Sequence, residues 1–317
     1  MLKPMGSVKN ITKSPKREML LRFARKKNIL PSLLGVATLA YTGTCAFLYM
    51  QQRQLIYNPS PEIARFPSDR DYRLPYEDVW IAIAGSNEKI HGWWFPAPAL
   101  SEPPSLPKEP TLALKSPKTI LYLHGTGGNI SHNLARIEGL RQLGFSVLAI
   151  DYRGYGQSQG NFPSEFQLYQ DSQVAWDYLT QVRAVPPQQI IMYGESLGGA
   201  IALDLAIKKP DAGGLILQST FTSMADVVKQ PTWAKVIPID LLLDQRFDSV
   251  EKMRSLKLPV LLIHGLKDSG IPANMSQKLY ELAPTRKQLF LVPNAEHARI
   301  YQPEHSYLQA IQQFFSS

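Results

Sequence analysis

Cysteine is nearly absent from this chain of 317 residues, whose single cysteine is Cys45. One cysteine allows no intramolecular disulfide and no cysteine-based metal site, so neither can stabilise the fold. The sequence also shows no sign of a cofactor or of any metal site, and we expect neither. A chain of this length accommodates one large α/β domain with an appendage.

Net charge is missing from most of the chain. Residues 1–28 hold nine lysines and arginines against one glutamate, which accounts for the whole formal excess of +8. Residues 29–317 are therefore neutral, and the high isoelectric point belongs to a basic tail rather than to a basic face. We expect no nucleic-acid partner, and the sequence indicates no particular protein partner.

Charged residues are absent altogether between residues 29 and 50. At helical rise this apolar segment reaches about 33 Å, which is enough for the hydrocarbon core of a bilayer. It predicts a single-pass transmembrane anchor, and the alternatives are a cleaved signal peptide or a buried N-terminal helix. Because the basic tail precedes it, the positive-inside rule predicts a cytoplasmic N-terminus and a main domain on the periplasmic, lumenal or extracellular side.

Two regions follow the apolar segment along the chain. Residues 51–75 predict a polar connector, and residues 76–317 predict the main domain. Seven prolines within residues 96–118 predict a loop inside that domain. Alternating apolar residues predict a strand at 76–83, and residues 89–95 predict its return strand. Short apolar runs predict strands at 119–123, 145–150, 190–193, 214–218, 260–264 and 288–292. Helical spacing of apolar residues occupies 130–143, 166–182, 200–208, 273–282 and 307–315.

This alternation of strands and helices predicts an α/β fold. Its central sheet should be mostly parallel, with helices on both faces. The first two strands are joined by a short turn at residues 85–88, which predicts an antiparallel hairpin at one end of the order.

Ser196 lies where an apolar strand pattern gives way to a helical pattern. It stands between Gly194 and Gly198, in the motif Gly-x-Ser-x-Gly. A tight strand-to-helix turn of this composition presents a serine hydroxyl as a nucleophile, whereas a plain strand–helix turn is the simpler alternative. A serine needs a general base and an orienting acid to act as a nucleophile.

Two residues further along the chain fit these needs. Asp268 follows the strand at 260–264, at the edge where open α/β sheets place their sites. His297 follows the strand at 288–292. We expect His297 to accept the Ser196 proton and Asp268 to orient the histidine. The alternatives are an ordinary loop aspartate at position 268 and His305 as the base.

A glycine-rich loop follows the strand at 119–123. It reads His-Gly-Thr-Gly-Gly-Asn, and lacks both the Walker spacing and the Gly-x-Gly-x-x-Gly pattern of phosphate-binding loops. The backbone N–H groups of Thr126 and Leu197 are the expected oxyanion-hole donors for a tetrahedral intermediate at Ser196. A tight connection without a ligand is the alternative interpretation.

Together these motifs resemble the α/β-hydrolase superfamily and, within it, the membrane-anchored serine hydrolases of the Bem/ABHD type. The segments that carry the resemblance are 123–131, 151–158, 194–199, 219–224 and 264–268. The resemblance implies a Ser196–His297–Asp268 triad and a short cap after the sixth strand, in residues 221–256. That region predicts either one helix packed on the core or a small apolar lid.

The expected function is therefore that of a membrane-anchored serine hydrolase. It would cleave carboxylic ester or thioester bonds through an acyl-enzyme, with long-chain acyl groups and acyl-protein thioesters in its range. Its expected partners are an acyl substrate, either a small molecule or a lipid, and membrane lipids. A serine peptidase of the same fold and a catalytically inactive, membrane-tethered binding protein are the alternatives.

Overall fold

The computed structural model describes residues 15–98, 118–297 and 306–316, with side chains from residue 31 onward. Most of the predicted proline-rich loop, the first half of the basic tail and His305 lie outside these residues. The chain divides into two compact units, Met1–Met50 and Gln51–Ser317.

One long helix, α1, runs from Pro15 to Ile56. Its part from Pro31 to Ile56 is long enough, and apolar enough over most of its length, to cross a membrane; a membrane anchor and a signal sequence both fit this description. The hydroxyls of Thr42 and Thr44 donate to backbone carbonyls one turn earlier, so neither polar group faces an apolar environment unsatisfied. The helix continues past the predicted end of the apolar segment at residue 50, because its polar last turn is still helical.

The predicted strands form one sheet. Within the described residues this sheet has eight strands. They are β1 (Glu77–Ala82), β2 (Lys89–Phe95), β3 (Thr119–Leu123), β4 (Ser146–Ile150), β5 (Ile190–Glu195), β6 (Gly214–Gln218), β7 (Val260–Gly265) and β8 (Lys287–Val292). Their spatial order is β8-β7-β6-β5-β3-β4-β2-β1. The predicted α/β fold with a mostly parallel sheet is confirmed.

The direction of pairing places the carboxyl ends of most strands at one edge. The six strands from β3 to β8 pair in parallel, whereas β2 pairs antiparallel with both β1 and β4. The antiparallel hairpin predicted for β1 and β2 is therefore present. Loops that follow β3, β5, β7 and β8 meet at the same edge, where sites of open α/β sheets form.

Helices cover both faces of the sheet. After α1 they are α2 (Leu134–Gln142), α3 (Glu165–Asp177), α4 (Leu197–Lys208), α5 (Met224–Val228), α6 (Ile239–Leu242), α7 (Ser249–Arg254), α8 (Asn274–Leu282) and α9 (Ser306–Ser316). Two predicted helices change character along their length. The pattern at 130–143 begins with a 3-10 turn over Ile130–Asn133, and the pattern at 166–182 ends with a π-turn over Tyr178–Val182. The cap region, 221–256, forms several short helices rather than one.

Alternate residues of each central strand enter two different cores. In β3, Leu121 and Leu123 join the cluster beneath α3, α4 and α8, whereas Ile120 and Tyr122 join the cluster beneath α2 and α9. Because both faces are buried, these strands read as continuous apolar runs. Each fully buried aliphatic side chain contributes about 1.5–3 kcal/mol of hydrophobic stabilisation.

Part of the predicted connector is built into the second unit. Tyr57 is buried, and its hydroxyl donates to the Gln245 side chain at 2.6 Å. Asn58–Pro59 then pairs in parallel with Gly127–Gly128, in the glycine-rich loop. The start of this segment is thus fixed against the loop that follows β3.

Candidate active site

Ser196 occupies a strained turn between β5 and α4. Its backbone angles are φ 53° and ψ −117°, a combination that costs about 1–3 kcal/mol for a non-glycine residue. A Cβ at position 194 would lie 2.2 Å from the Gly198 carbonyl oxygen, and one at position 198 would lie 2.0 Å from the Leu123 carbonyl oxygen. Only glycine fits at either position, which explains the Gly-x-Ser-x-Gly spacing.

Hydrogen bonds from the next strand hold this turn in place. The Ser196 N–H donates to the Gln218 carbonyl at 2.8 Å, and the Thr220 hydroxyl donates to the Ser196 carbonyl at 2.9 Å. Both partners lie at the carboxyl end of β6. The strained conformation is therefore determined by its surroundings, which is the usual condition for strain at a functional site.

The structure brings the three predicted site residues together. Nε2 of His297 lies 3.1 Å from Oγ of Ser196, and Nδ1 of His297 lies 2.6 Å from Oδ2 of Asp268. They reach one another because β5, β7 and β8 are parallel and end at the same edge. The distances and the order of the contacts match a nucleophile, a base and an orienting carboxylate.

Asp268 is held as a carboxylate by hydrogen bonds from several sides. Its Oδ1 accepts the N–H groups of Gly270 at 3.0 Å and Ile271 at 2.8 Å. Burial alone would raise the pKa of Asp268, but the hydrogen bonds from His264, His297 and the Ile271 N–H lower this pKa well below its ordinary value. The group therefore carries its negative charge at neutral pH.

This negative charge acts on His297. Burial is the largest single influence and lowers the pKa of His297, while the hydrogen bond and the charge of Asp268 raise it. The balance places the pKa of His297 above its ordinary value of 6.5. The side chain is 35% exposed, so a substrate can reach it.

A second histidine supports Asp268. Nε2 of His264 lies 2.8 Å from the Ile271 carbonyl and 3.2 Å from Oδ2 of Asp268. Since a carbonyl only accepts, Nε2 carries the proton and Nδ1 accepts the Ser276 hydroxyl at 2.7 Å. His264 is buried, as its place at the end of a buried strand predicts, and it braces the loop that carries Asp268.

The glycine-rich loop lies beside Ser196. A Cβ placed on Gly125 would lie 3.3 Å from Cβ of Ser196. Leu197 is the first residue of α4, so its N–H has no acceptor within the helix. In the part of the chain that the structure describes, the N–H groups of Leu197 and Thr126 make no backbone hydrogen bond outside regular elements. The loop that carries Thr126 therefore lies close to the serine, and the N–H groups of Leu197 and Thr126 remain the predicted oxyanion donors.

One functional feature beside the serine escaped sequence reasoning. Glu195, the residue before Ser196, is buried and bonded to Arg136 through both carboxylate oxygens, at 2.5 and 2.9 Å. The Tyr122 hydroxyl donates to the same carboxylate at 2.8 Å. A bidentate buried pair of this kind fixes orientation as well as charge. The only signal in the sequence was a charged residue between Gly194 and Ser196, in a stretch that is otherwise buried.

A metal site needs a close arrangement of ligating side chains. Among the described residues, no group of three or more histidine, cysteine, aspartate or glutamate side chains is arranged to hold a metal ion.

The strand order, with a strained serine elbow after the fifth strand, defines the molecule as an α/β hydrolase. Comparison with known proteins agrees. The family model described as serine aminopeptidase, S33, matches residues 115–249. Protein bem46 of Schizosaccharomyces pombe is 33% identical over 272 residues, which cover 81% of this chain and 83% of that protein. An uncharacterized protein of Mycobacterium tuberculosis is 34% identical over 84% of this chain and 87% of its own length.

The chain therefore belongs to the α/β-hydrolase superfamily, in the family of bem46 and its bacterial relatives. Solved structures share the fold at lower identity. An esterase of Pyrococcus furiosus superposes with a TM-score of 0.60 at 24% identity, covering 82% of this chain and 96% of that chain. The Butyrivibrio proteoclasticus protein Est1E, solved with ferulic acid bound, has a TM-score of 0.56 at 19% identity, over 75% of this chain and 96% of its own.

Proposed function

We propose that this protein is a membrane-anchored serine hydrolase that cleaves carboxylic ester or thioester bonds. The observation that carries the proposal is the continuous set of contacts from Ser196 Oγ through His297 to Asp268. The strained elbow, which presents the serine, and the esterase fold of the structural neighbours support the same conclusion.

The geometry supports a two-stage reaction. Oγ of Ser196 attacks the acyl carbonyl carbon while its proton passes to Nε2 of His297, giving a tetrahedral oxyanion. The protonated His297 then donates this proton to the departing alkoxide or thiolate, and an acyl-enzyme remains on Ser196. Water repeats the sequence with His297 as base, and releases the carboxylic acid and the free serine.

Backbone N–H groups and a carboxylate stabilise the charges that develop during the reaction. The backbone N–H groups of Leu197 and Thr126 receive the oxyanion. The carboxylate of Asp268 stabilises the imidazolium form of His297. This agrees with the raised pKa of His297. The contact between His297 and Asp268 is already made before a substrate arrives.

The apolar segment, residues 29–50, is a retained anchor in this proposal, within the helix that is long enough to cross a membrane. The basic tail, residues 1–28, then lies in the cytoplasm, and the hydrolase unit lies on the opposite side of the membrane. Extraction of membranes with alkaline carbonate and the mass of the mature chain test retention. Accessibility of an N-terminal tag to protease in sealed vesicles tests the orientation.

The reaction is tested by hydrolysis of a matched series of acyl p-nitrophenyl esters and acyl thioesters. Wild-type protein should cleave both, and Ser196→Ala should lose the activity. Ser86→Ala is the matched control, because Ser86 lies in the exposed turn between β1 and β2, whereas the site is formed by loops that follow other strands. An activity that survives Ser196→Ala contradicts the proposal.

The match to a family model described as serine aminopeptidase favours one second candidate, a peptidase that uses the same residues. Aminoacyl p-nitroanilides added to the substrate series separate the two. Preferential cleavage of anilides over esters would support the peptidase. An inactive binding protein would cleave neither class.

A further inference from the structure

The cap exposes three large apolar side chains close together in the sequence. Trp233 is 60% exposed, Val236 is 70% exposed and Leu241 is 86% exposed. We call these three residues the cap face. Single exposed apolar residues are common, but several of them on two neighbouring short helical turns, Thr232–Val236 and Ile239–Leu242, favour a surface that meets an apolar partner.

A shallow groove accompanies the cap face. Its cavity of about 500 Å³ is lined by Ala234, Ile237, Pro238, Ile239 and Leu241, together with three charged residues. Two of the charges, Lys229 and Asp240, pair with each other at 2.5 Å. Lys235 adds a positive charge at the rim. The surface is therefore apolar with a mainly basic or neutralised border.

The cap is joined directly to the last turn of α1. The Gln52 side chain accepts the Asp244 N–H at 2.9 Å and lies 3.4 Å from the Leu242 carbonyl, to which it donates. Leu55, on the same turn, is 64% exposed. The chain therefore leaves its apolar segment at a point that is hydrogen-bonded to the segment next to Leu241.

We propose that the cap face docks on the surface of the same bilayer that holds the apolar helix. This inference rests on the proposed anchoring: an anchor that ends at residue 50 is followed two residues later by Gln52, which is hydrogen-bonded to Leu242 and Asp244. Tryptophan and basic side chains are the residues that favour this boundary, and aliphatic side chains beside them enter the upper acyl region. The cap follows β6, at the edge of the sheet that also carries Ser196.

The consequence concerns the class of substrate. A site whose cap lies in the interfacial layer takes acyl groups presented by the membrane, such as lipid esters or acyl thioesters of membrane-bound molecules. Soluble short-chain esters would reach Ser196 without using the cap face. The cap face therefore distinguishes substrates by where they reside rather than by the bond that is cleaved.

The test places an environment-sensitive fluorophore on the cap of the full-length chain. Val236→Cys in a Cys45→Ser background provides a single labelling site. Val182→Cys in the same background is the matched control, because Val182 is 68% exposed and precedes the amino end of β5, at the opposite edge of the sheet. Both proteins are reconstituted in phosphatidylcholine vesicles, with and without nitroxide-labelled lipid.

The proposal expects blue-shifted emission at position 236 and quenching by the nitroxide lipid, with neither effect at position 182. Equal quenching at the two positions overturns it. A blue shift at position 236 without lipid quenching also overturns it, and would indicate a second copy of the chain or another protein on the cap. Carbonate extraction and fluorophosphonate labelling of the same vesicles show separately whether anchoring and the serine site are intact.

A second variant keeps the test independent of labelling. Leu241→Glu introduces a charge at a side chain that is already 86% exposed, so it disturbs no interior contact. Hydrolysis of a vesicle-borne long-chain ester should fall in this variant and stay unchanged in Val182→Glu. Equal rates in the two variants contradict the proposal.

Discussion

The hydroxyl of Thr126 donates a hydrogen bond of 2.6 Å to the carbonyl of Ile56, the last residue of α1. The Asn58 N–H donates to the Thr126 carbonyl at 3.2 Å, so the contact continues into the next segment. The end of the apolar helix is thereby joined to the loop that lies beside Ser196. In this protein the segment that follows the proposed anchor forms part of the scaffold of the site.

Removing the Thr126 hydroxyl should weaken this scaffold. Thr126→Val keeps the branched shape but leaves the Ile56 carbonyl without its donor, at a cost of about 1 kcal/mol of unfolding free energy. We expect a lower kcat for a soluble ester with little change in KM, because the backbone donor at position 126 becomes less well placed. Thr126→Ser, which restores the hydroxyl, should recover most of the rate.

Replacing Asp268 by asparagine should lower kcat far more than Thr126→Val does. The amide keeps the shape of the side chain but loses the charge that stabilises protonated His297, and in serine proteases the equivalent change lowers kcat about 10⁴-fold. Steady-state kinetics measures the loss, and circular dichroism confirms that the variant is folded. A decrease smaller than about 10-fold in kcat would place the orienting acid elsewhere.

The pH dependence of kcat/KM should reflect the raised pKa of His297. His297 accepts a proton only when it is neutral, and Asp268 raises the pKa of His297 above 6.5. The acid limb of kcat/KM should therefore lie at higher pH than an isolated histidine would give, with activity lost as the pH falls through that pKa. In Asp268→Asn the limb should move to lower pH, and an unmoved limb would assign it to another group.

Breaking the pair behind the elbow should destabilise the protein. Arg136→Gln leaves the buried Glu195 carboxylate without its charged partner, which costs about 3–5 kcal/mol in comparable buried pairs. Arg183→Gln is the matched control, because it removes an ion pair to the exposed Glu77 carboxylate and should cost about 1 kcal/mol or less. Urea unfolding measures both, and equal costs would contradict a specific role for Arg136.

Much of the fold can be predicted from the sequence, because it depends on patterns of neighbouring residues. The strands from β3 to β7 follow from short apolar runs, because strands buried on both faces leave few polar positions. Strand β1 follows from an alternation of exposed and buried residues. The elbow is readable because Gly194 and Gly198 meet backbone atoms at distances that no side chain allows. Ser196, Asp268 and His297 follow from the same rules, because each comes just after a strand of a parallel sheet.

Other features depend on contacts between distant parts of the chain. The Glu195–Arg136 pair joins β5 to α2, and the sequence around either residue does not identify the other as its partner. The helical continuation to Ile56 has a polar sequence that hydropathy alone does not assign to a helix. Its end is determined by Thr126 and by the pairing of Asn58 with Gly127, which become neighbours only in the folded unit.

The most direct test of the account is covalent labelling by a fluorophosphonate, followed by mass spectrometry of the labelled peptide. The account predicts one adduct on Ser196, labelling that is lost in Ser196→Ala and kept in Ser86→Ala, and a labelled protein that stays in the membrane after alkaline carbonate. Folded wild-type protein that takes no label, or takes it on another residue, would contradict the assignment of Ser196 as an activated nucleophile.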